Sequence, residues 1–252
     1  MAKPIMADAL WELIEPPLPK PKQRRRRYPG RKPIPHRAAL TGIVYVLRTG
    51  IPWEYLPQEM GCGSGMACWR RLRDWQEAGV WEQIPRTLLG ELRAADQIDW
   101  SRAVADSASL RALVRGARTG PNPTDRARCG SKHHLLTHAK GLPLAFTLTA
   151  ANRHDVTLLL PLVDQMPPIA GKPGRPRRRP DCVQGDSAYD SQPHRRELRR
   201  RGIASVLAHR DAERGSGLGT TRWVVLRLRR PAAVSHSEWS SKSPPLSIPA
   251  FF

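Results

Sequence analysis

Two aspartates, Asp106 and Asp186, stand in the same kind of sequence context and are the strongest candidates for chemistry. Each follows a short run of mainly apolar residues and precedes a small polar residue, a pattern that predicts an aspartate at the end of a strand. If the two strands lie side by side, both carboxylates reach one edge of a sheet. Mg²⁺ prefers oxygen ligands, often one or two carboxylates together with substrate phosphates. The pair therefore indicates metal-assisted chemistry at a phosphodiester; the alternative is that both are ordinary turn or cap residues.

The charge of the chain indicates a polyanionic partner. Its 252 residues include 42 Lys and Arg against 22 Asp and Glu, a formal net charge of +20. Two arginine-rich runs, at residues 22–32 and 172–180, contain Pro and Gly and are predicted to be irregular. Flexible arginines beside a folded body suit contacts with nucleic-acid phosphates, and the alternative is a pair of solvated linkers. Charge does not separate DNA from RNA, so an RNA- or ribosome-associated protein is a further hypothesis.

Composition also excludes some classes of protein. No stretch approaches the ~18 uncharged apolar residues of a membrane span, and the N-terminus lacks the basic head and apolar run of an export signal. The four cysteines form no CxxC pair and are expected to be free thiols. We therefore expect a cytoplasmic protein that does not contact a membrane.

Residues 1–95 are predicted to be helical. Apolar residues at a helical period predict a helix over residues 37–49 that stops at Gly50. A second helix, capped by Ser64, is expected to place Met66, Trp69 and Leu72 on one face with Trp75 close by, and a third follows Gly79. Two helices joined by a short turn, with arginines on the first, suggest a helix-turn-helix. The tryptophans are expected in the core, and the arginine face either contacts DNA or is simply solvated.

The remaining sequence predicts a mixed α and β region. Strands are expected at residues 102–106, 133–137, 142–149, 182–186 and 203–208, and helices around residues 158–163 and 190–201. The turn at residues 139–141 predicts a hairpin between the second and third strands, and residues 110–131 are predicted to be a loop. Residues 226–252 are rich in Ser and Pro without periodicity and are predicted to be disordered.

Nine short segments, in this order and spacing, resemble the DDE transposases of bacterial insertion sequences, in the group named after insertion sequence five. They lie at residues 39–43, 49–54, 69–75, 106–107, 130–134, 141–144, 152–155, 185–190 and 222–225. The resemblance implies an α+β or α/β protein with three parts: a helical, helix-turn-helix-like DNA-binding domain at residues 1–95, an incomplete ribonuclease-H-like mixed-sheet DDE core at residues 96–225, and an unrelated tail.

The resemblance also implies a function. The family cuts and joins DNA at element ends, so the expected partners are double-stranded DNA of the terminal inverted repeats and of the target, and a second copy of the chain when active. Asp106 and Asp186 would be the first two catalytic carboxylates and would bind Mg²⁺, with Mn²⁺ as an alternative. The expected location is the bacterial nucleoid.

Basic residues in the matching segments and in the two arginine-rich runs are the candidates for DNA contact. They are Arg24, Arg25, Arg26, Arg27, Arg70, Arg71, Arg73, Lys132, Arg177 and Arg178. Lys132 is expected to contact a phosphate from the strand beside Asp106. His133 and His134 are interpreted as packing or hydrogen-bonding groups and not as metal ligands.

The third carboxylate of the family is missing from its expected position. A Glu should follow residues 222–225, but Leu226 stands there, and the resemblance stops. We interpret this as a truncation or a change of reading frame after Val225, which would impair catalysis. Glu213 and Glu238 are candidate substitutes. The alternative function is a non-catalytic DNA-binding remnant, or a repressor of intact transposase copies.

Overall fold

The computed structural model of the protein describes residues 4–20, 26–27, 30, 32–112 and 116–210. The described chain divides into two compact units, the first ending at Glu91 and the second beginning at Leu92. Within these ranges, no helix is both long and apolar enough to cross a membrane.

The first unit is helical, as predicted. It contains α1 (Asp8–Ile14), α2 (His36–Thr49), α3 (Gly65–Glu77) and most of α4 (Val80–Ala94). The stop of α2 at Gly50 is confirmed, because this glycine has φ 68°, a left-handed conformation that ends helices. The cap of α3 is also confirmed, since the Ser64 side chain accepts a hydrogen bond from the Ala67 backbone N–H at 3.3 Å.

The buried face of α3 differs from the prediction. Met66 and Trp69 are exposed, at 50% and 38%, whereas Cys68 and Trp75 are buried. The start of this helix also makes a close approach that sequence spacing does not reveal. A Cβ at Gly65 would lie 1.6 Å from the Trp53 carbonyl oxygen, so this glycine lets the start of α3 pack against the backbone near Trp53. The expectation that the tryptophans lie in the core is therefore wrong for Trp69.

The second unit is built on a mixed six-stranded sheet. Its strands are β1 (Ala103–Arg111), β2 (Gly120–Pro121), β3 (Cys129–His138), β4 (Pro143–Ala150), β5 (Cys182–Gly185) and β6 (Ala204–Leu207). The order is β2-β3-β1-β5-β6, with β4 also paired to β3. Pairs among β1, β3 and β4 are antiparallel, whereas β1–β5 and β5–β6 are parallel.

Two helices complete this unit. α5 (Val156–Asp164) connects the antiparallel strands to β5, and α6 (Gln192–Arg200) connects β5 to β6. They contact each other and therefore lie on the same face of the sheet. A long antiparallel hairpin followed by parallel strands with connecting helices is the ribonuclease-H-like, α+β arrangement that the resemblance implied. The predicted hairpin is confirmed as β3 and β4.

The predicted loop at residues 110–131 is wrong at both ends. β1 continues to Arg111 and β3 begins at Cys129, because these strands pair without interruption from Ala103 with His138 to Arg111 with Gly130. The hydrogen bonds between β1 and β3 pair the backbone N–H and C=O groups of this polar stretch. Its apolar residues are too few to show the two-residue period of a strand. Asp106 is consequently the fourth residue of a nine-residue strand and does not end it, contrary to the prediction.

The arginine-rich run at residues 172–180 is irregular, as predicted, but it belongs to the second unit and is not a linker. Ile169 and Arg177 form an antiparallel bridge, with backbone hydrogen bonds of 2.9 and 3.1 Å. The Arg177 guanidinium lies over the Trp100 ring at 4.8 Å from its centroid and pairs with Asp181. The run is thus attached to the fold next to the start of β5.

Candidate active site

The parallel register between β1 and β5 aligns the two candidate aspartates. The last paired residues are Val104 and Gln184, and Asp106 and Asp186 each lie two residues beyond that pair. Side chains alternate along a strand, so both aspartates lie on the same face of the sheet as this pair. Neighbouring strands are about 4.8 Å apart. The two side chains therefore start from adjacent strands at the same level of the sheet.

Local backbone bonds hold one oxygen of each carboxylate. Asp106 Oδ1 accepts the Ser107 N–H at 2.9 Å, and Asp186 Oδ1 accepts the Ala188 N–H at 2.9 Å. Asp186 caps a 3₁₀ turn over Ser187–Tyr189. The backbone of Asp186 itself is extended, so the chain continues in the direction of β5 as far as this residue. Both residues are exposed. The pair is therefore oriented by its own backbone and remains open to a ligand.

A buried tyrosine lies close to this pair and to a third aspartate. Tyr189 is 1% exposed, and burial raises the pKa of its hydroxyl, with further increases from the charges of Asp155, Asp186 and Asp106. Three carboxylates thus lie within electrostatic reach of one phenol. The close packing starts at Gly185, where an added Cβ would come within 2.9 Å of the Tyr189 ring.

Asp155 belongs to a polar cluster on the hairpin side of the site. Lys132 Nζ lies 3.2 Å from Asp155 Oδ1 and donates to the Arg153 carbonyl at 3.0 Å. His134 Nδ1 lies 3.6 Å from the same carboxylate oxygen, and its Nε2 is 2.8 Å from Thr149 Oγ1. Burial lowers the pKa of His134 despite the nearby Asp155 charge. A neutral, buried His134 fits the interpretation of this residue as a packing and hydrogen-bonding group.

The position of Lys132 differs from that of a side chain extended toward DNA. Its side chain is only 15% exposed, and the Asp155 side chain is 16% exposed. A phosphate contact would compete with both the ion pair and the carbonyl hydrogen bond. The structure therefore gives Lys132 a position in which it anchors Asp155 and the start of α5.

The donor set at Asp106 and Asp186 fits Mg²⁺, which usually takes one or two carboxylates and completes its shell with water and substrate phosphates. Among the described residues, no group of three or more His, Cys, Asp or Glu side chains is arranged to hold a metal ion. Two aligned carboxylates are thus the donors that this part of the chain offers. A complete shell would need oxygens from elsewhere.

The candidate DNA-contacting arginines lie in several places. Arg24 and Arg25 are outside the described residues, while Arg26 and Arg27 are exposed. On α3, Arg70 is exposed and the Arg71 guanidinium lies over the Trp75 ring at 5.9 Å from its centroid. These side chains belong to the first unit.

The other α3 arginine and its neighbours form a stripe on the surface of the helix. Arg73 lies over the exposed Trp69 ring at 5.5 Å and pairs with Asp74 at 3.1 Å. Met66, Trp69, Arg70 and Arg73 follow the i, i+3, i+4, i+7 spacing of one helix face. We call this set the α3 stripe.

In the second unit, Arg177 is bound to Asp181 and Trp100, whereas Arg178 is exposed. Asp155 and Tyr189 were not among the candidates from the sequence, and the structure places both within electrostatic reach of the aspartates or of each other. Both lie in segments that carry the resemblance, so the only signal was their membership of those segments.

Comparison with known proteins identifies the family. Residues 6–85 match the model of the family described as "Putative transposase of IS4/5 family", and residues 96–238 match that of the "Transposase DDE domain". The second match covers more than half of the chain. The chain belongs to the DDE transposases of the IS4/5 family. Asp106 and Asp186 both lie within the DDE match, which extends beyond Val225, where the resemblance was expected to stop.

Two relatives from Burkholderia cepacia are similar to this family member. One is the "Insertion element IS402 uncharacterized 16.2 kDa protein", 63% identical over 123 residues, covering 49% of this chain and 84% of that protein. The other is the "Putative transposase for insertion sequence element IS402", 62% identical over 110 residues, covering 44% of this chain and 52% of that protein. The chain thus spans only about half the length of the second relative.

Proposed function

We propose that the chain binds duplex DNA at the ends of an insertion sequence and that Asp106 and Asp186 are the metal-binding carboxylates of its strand-cleavage and strand-transfer site. The observation that carries the proposal is the β1–β5 register, which aligns two aspartates from distant parts of the chain on one face. Both are exposed, so a DNA strand can reach them.

The chemistry at this site follows from the residues that surround it. A bound Mg²⁺ or Mn²⁺ supplies Lewis-acid stabilisation of the charge that develops on phosphate oxygens. Asp106 and Asp186 would hold the ion, and the backbone N–H groups of Ser107 and Ala188 fix their orientation. The buried Tyr189 lies within electrostatic reach of both carboxylates. The Lys132–Asp155 pair keeps the adjoining strand and helix together.

The direct test is a nicking assay on duplexes that carry the terminal repeats of the element, with Mg²⁺ or Mn²⁺. We expect strand nicking that Asp106→Asn and Asp186→Asn reduce by orders of magnitude, because each removes a charged ligand. Asp181→Asn is the matched control, since Asp181 stands at the opposite end of β5. Equal loss in the control, or full activity of both site variants, would refute the assignment.

We also propose that cleavage is weaker here than in a chain with a Glu after residue 225, where Leu226 stands. Glu213 and Glu238 both lie within the DDE match, although outside the described residues. If either acts as the third carboxylate, its change to Gln should abolish the remaining nicking. The nucleotide sequence around codon 226 tests the frame change, since a shifted frame that encodes Glu at this point is the expected result.

A second function, DNA binding without catalysis, is favoured by the α3 stripe. Its exposed Trp69 and the basic side chains beside it lie in a unit that lacks the aspartate pair. A chain with this function would bind element ends in metal-free buffer, and Asp106→Asn would not change its affinity. Arg70→Ala should weaken that binding, because it removes a positive charge from the stripe. Nicking by the wild-type chain would exclude a purely non-catalytic role.

The remaining elements of the proposal concern assembly and location. We expect the active protein to form a homo-oligomer on DNA and to associate with the bacterial nucleoid. Sedimentation of the protein alone and with duplex ends tests the first point, and a monomer in both cases would contradict it. Fluorescence microscopy of a tagged chain tests the second.

A further inference from the structure

A basic cleft lies in the second unit, away from the aspartate pair. It has a volume of about 370 Å³ and is lined by Arg178, Arg179, Arg200 and Arg201 together with Asp164 and three apolar side chains. We call it the arginine cleft. Of these residues, only Arg178 is a candidate for DNA contact from the sequence, and Arg200 in α6 is not.

Hydrogen bonds fix three of the four guanidinium groups. Arg200 binds Glu197 through two bonds of 2.8 Å, and Arg201 Nε binds the same carboxylate at 2.7 Å. These bonds lower the pKa of Glu197 to about 2. Arg179 donates to the Arg201 carbonyl at 3.0 Å. The groups are thus held in place before any ligand arrives, which reduces the entropy cost of binding.

The cleft keeps an excess of positive charge. Its four arginines are balanced by two carboxylates, Asp164 and Glu197. Arg201 binds both carboxylates and so connects α5 to α6. Arg200 remains 76% exposed, and Arg178 is exposed without an ion pair to any described residue. The Arg178 guanidinium and the Nη1 of Arg200, which the two bonds to Glu197 do not use, are available for an anion.

The position of the cleft defines the ligand more closely. Arg179 comes just before β5, and Ile203, another lining residue, comes just before β6. Since β5 and β6 are parallel, the cleft lies at the edge where both begin, whereas Asp186 follows the end of β5. At ~3.3 Å per residue, the two sites are about 20 Å apart along the strand.

We infer that the arginine cleft binds backbone phosphates of a duplex DNA segment about 20 Å from the bond held at Asp106 and Asp186. This inference rests on the proposed function, because it takes duplex DNA as the ligand. Guanidinium groups match phosphate geometry and carry no information about base sequence. The cleft therefore contributes affinity that is independent of sequence and sensitive to salt.

The test compares two double variants in binding to a labelled duplex of arbitrary sequence over a series of NaCl concentrations. Arg178→Ala/Arg200→Ala should make the slope of log K against log salt shallower by about 1.8, at ~0.9 for each lost phosphate contact. Arg178→Lys/Arg200→Lys should keep most of the slope. Arg48→Ala/Arg86→Ala removes two exposed arginines from the first unit and is the matched control.

Three outcomes would overturn the inference: an unchanged slope in the cleft variant, an equal change in the control, or inorganic phosphate that binds the wild-type chain through the intact cleft and is not displaced by duplex DNA. The last result would assign the cleft to free phosphate. If the wild-type chain binds no duplex, the proposed function fails as well. If the wild-type chain binds duplex DNA and the cleft variant keeps the wild-type slope, the inference alone fails.

Discussion

The half-buried ion pair between Lys132 and Asp155 provides a direct test of the structure, because the sequence suggested a different role for Lys132. The substitution Lys132→Met keeps much of the side-chain length and removes the charge. It leaves Asp155 without its cation at 3.2 Å and the Arg153 carbonyl without its donor at 3.0 Å. We therefore expect a loss of stability and no loss of duplex binding.

The size of the effect follows from the burial of the two side chains. Removing one partner of a fully buried pair costs about 3–5 kcal/mol, whereas exposed pairs contribute about 0–1 kcal/mol. With side-chain exposures of 15% and 16%, this pair lies nearer the buried limit. We expect the free energy of unfolding to fall by about 2–3 kcal/mol, which lowers Tm by roughly 5–10 °C.

The assay is urea unfolding in a double-mutant cycle. Asp155→Asn should cost a similar amount, and Lys132→Met/Asp155→Asn should cost about 1–2 kcal/mol less than the sum of the single changes. Lys140→Met is the matched control, because Lys140 is an exposed lysine in the turn after β3 and should change stability by less than about 0.5 kcal/mol.

Two results would refute this reasoning. One is a Lys132→Met variant no less stable than Lys140→Met. The other is a Lys132→Met variant whose slope of log K against log salt is shallower by about 0.9 on duplex DNA. That result would support the phosphate contact predicted for Lys132 from the sequence.

Two further predictions concern the packing and protonation of the same region. Gly185→Ala should lower the free energy of unfolding by about 1–3 kcal/mol in urea titrations, because its Cβ would lie 2.9 Å from the buried Tyr189 ring; an unchanged midpoint would show that the ring moves freely. Burial lowers the pKa of His134 in the folded chain, so the unfolded chain binds the proton more readily. The contribution of His134 to stability should therefore be full above about pH 7 and should fall as the pH drops through about 6.5. Urea titrations should show that His134→Gln loses part of this dependence and that His133→Gln, on the exposed neighbour, retains it; identical pH profiles would contradict the assignment.

Local signals in the sequence were sufficient for several parts of the fold. The left-handed Gly50 and the hydroxyl of Ser64 act on the adjacent helix turn, so the ends of α2 and α3 could be predicted without any tertiary contact. The apolar strand before Asp186 was equally clear. In each case the residue and the structure it determines are a few positions apart.

Tertiary contacts determined the features that the sequence did not reveal. The start of α3 packs against the Trp53 carbonyl through Gly65, and the partner of Lys132 lies 23 residues away in Asp155. The length of β1 depends on pairing with β3 and not on its own composition. Such contacts have no local period, so residue spacing alone did not show which face α3 buries or that Lys132 has a partner.

The alignment of Asp106 and Asp186 is itself a consequence of the core. A slip of one residue between β1 and β5 would place Asp186 on the opposite face of the sheet, since side chains alternate with period two. A slip of two residues would separate the carboxylates by a further ~6.6 Å along the strand. What prevents both is the paired contact of Ala103 with Val183, each 0% exposed. The aspartates are exposed and cannot determine this register, so the candidate site depends on packing three residues away from it.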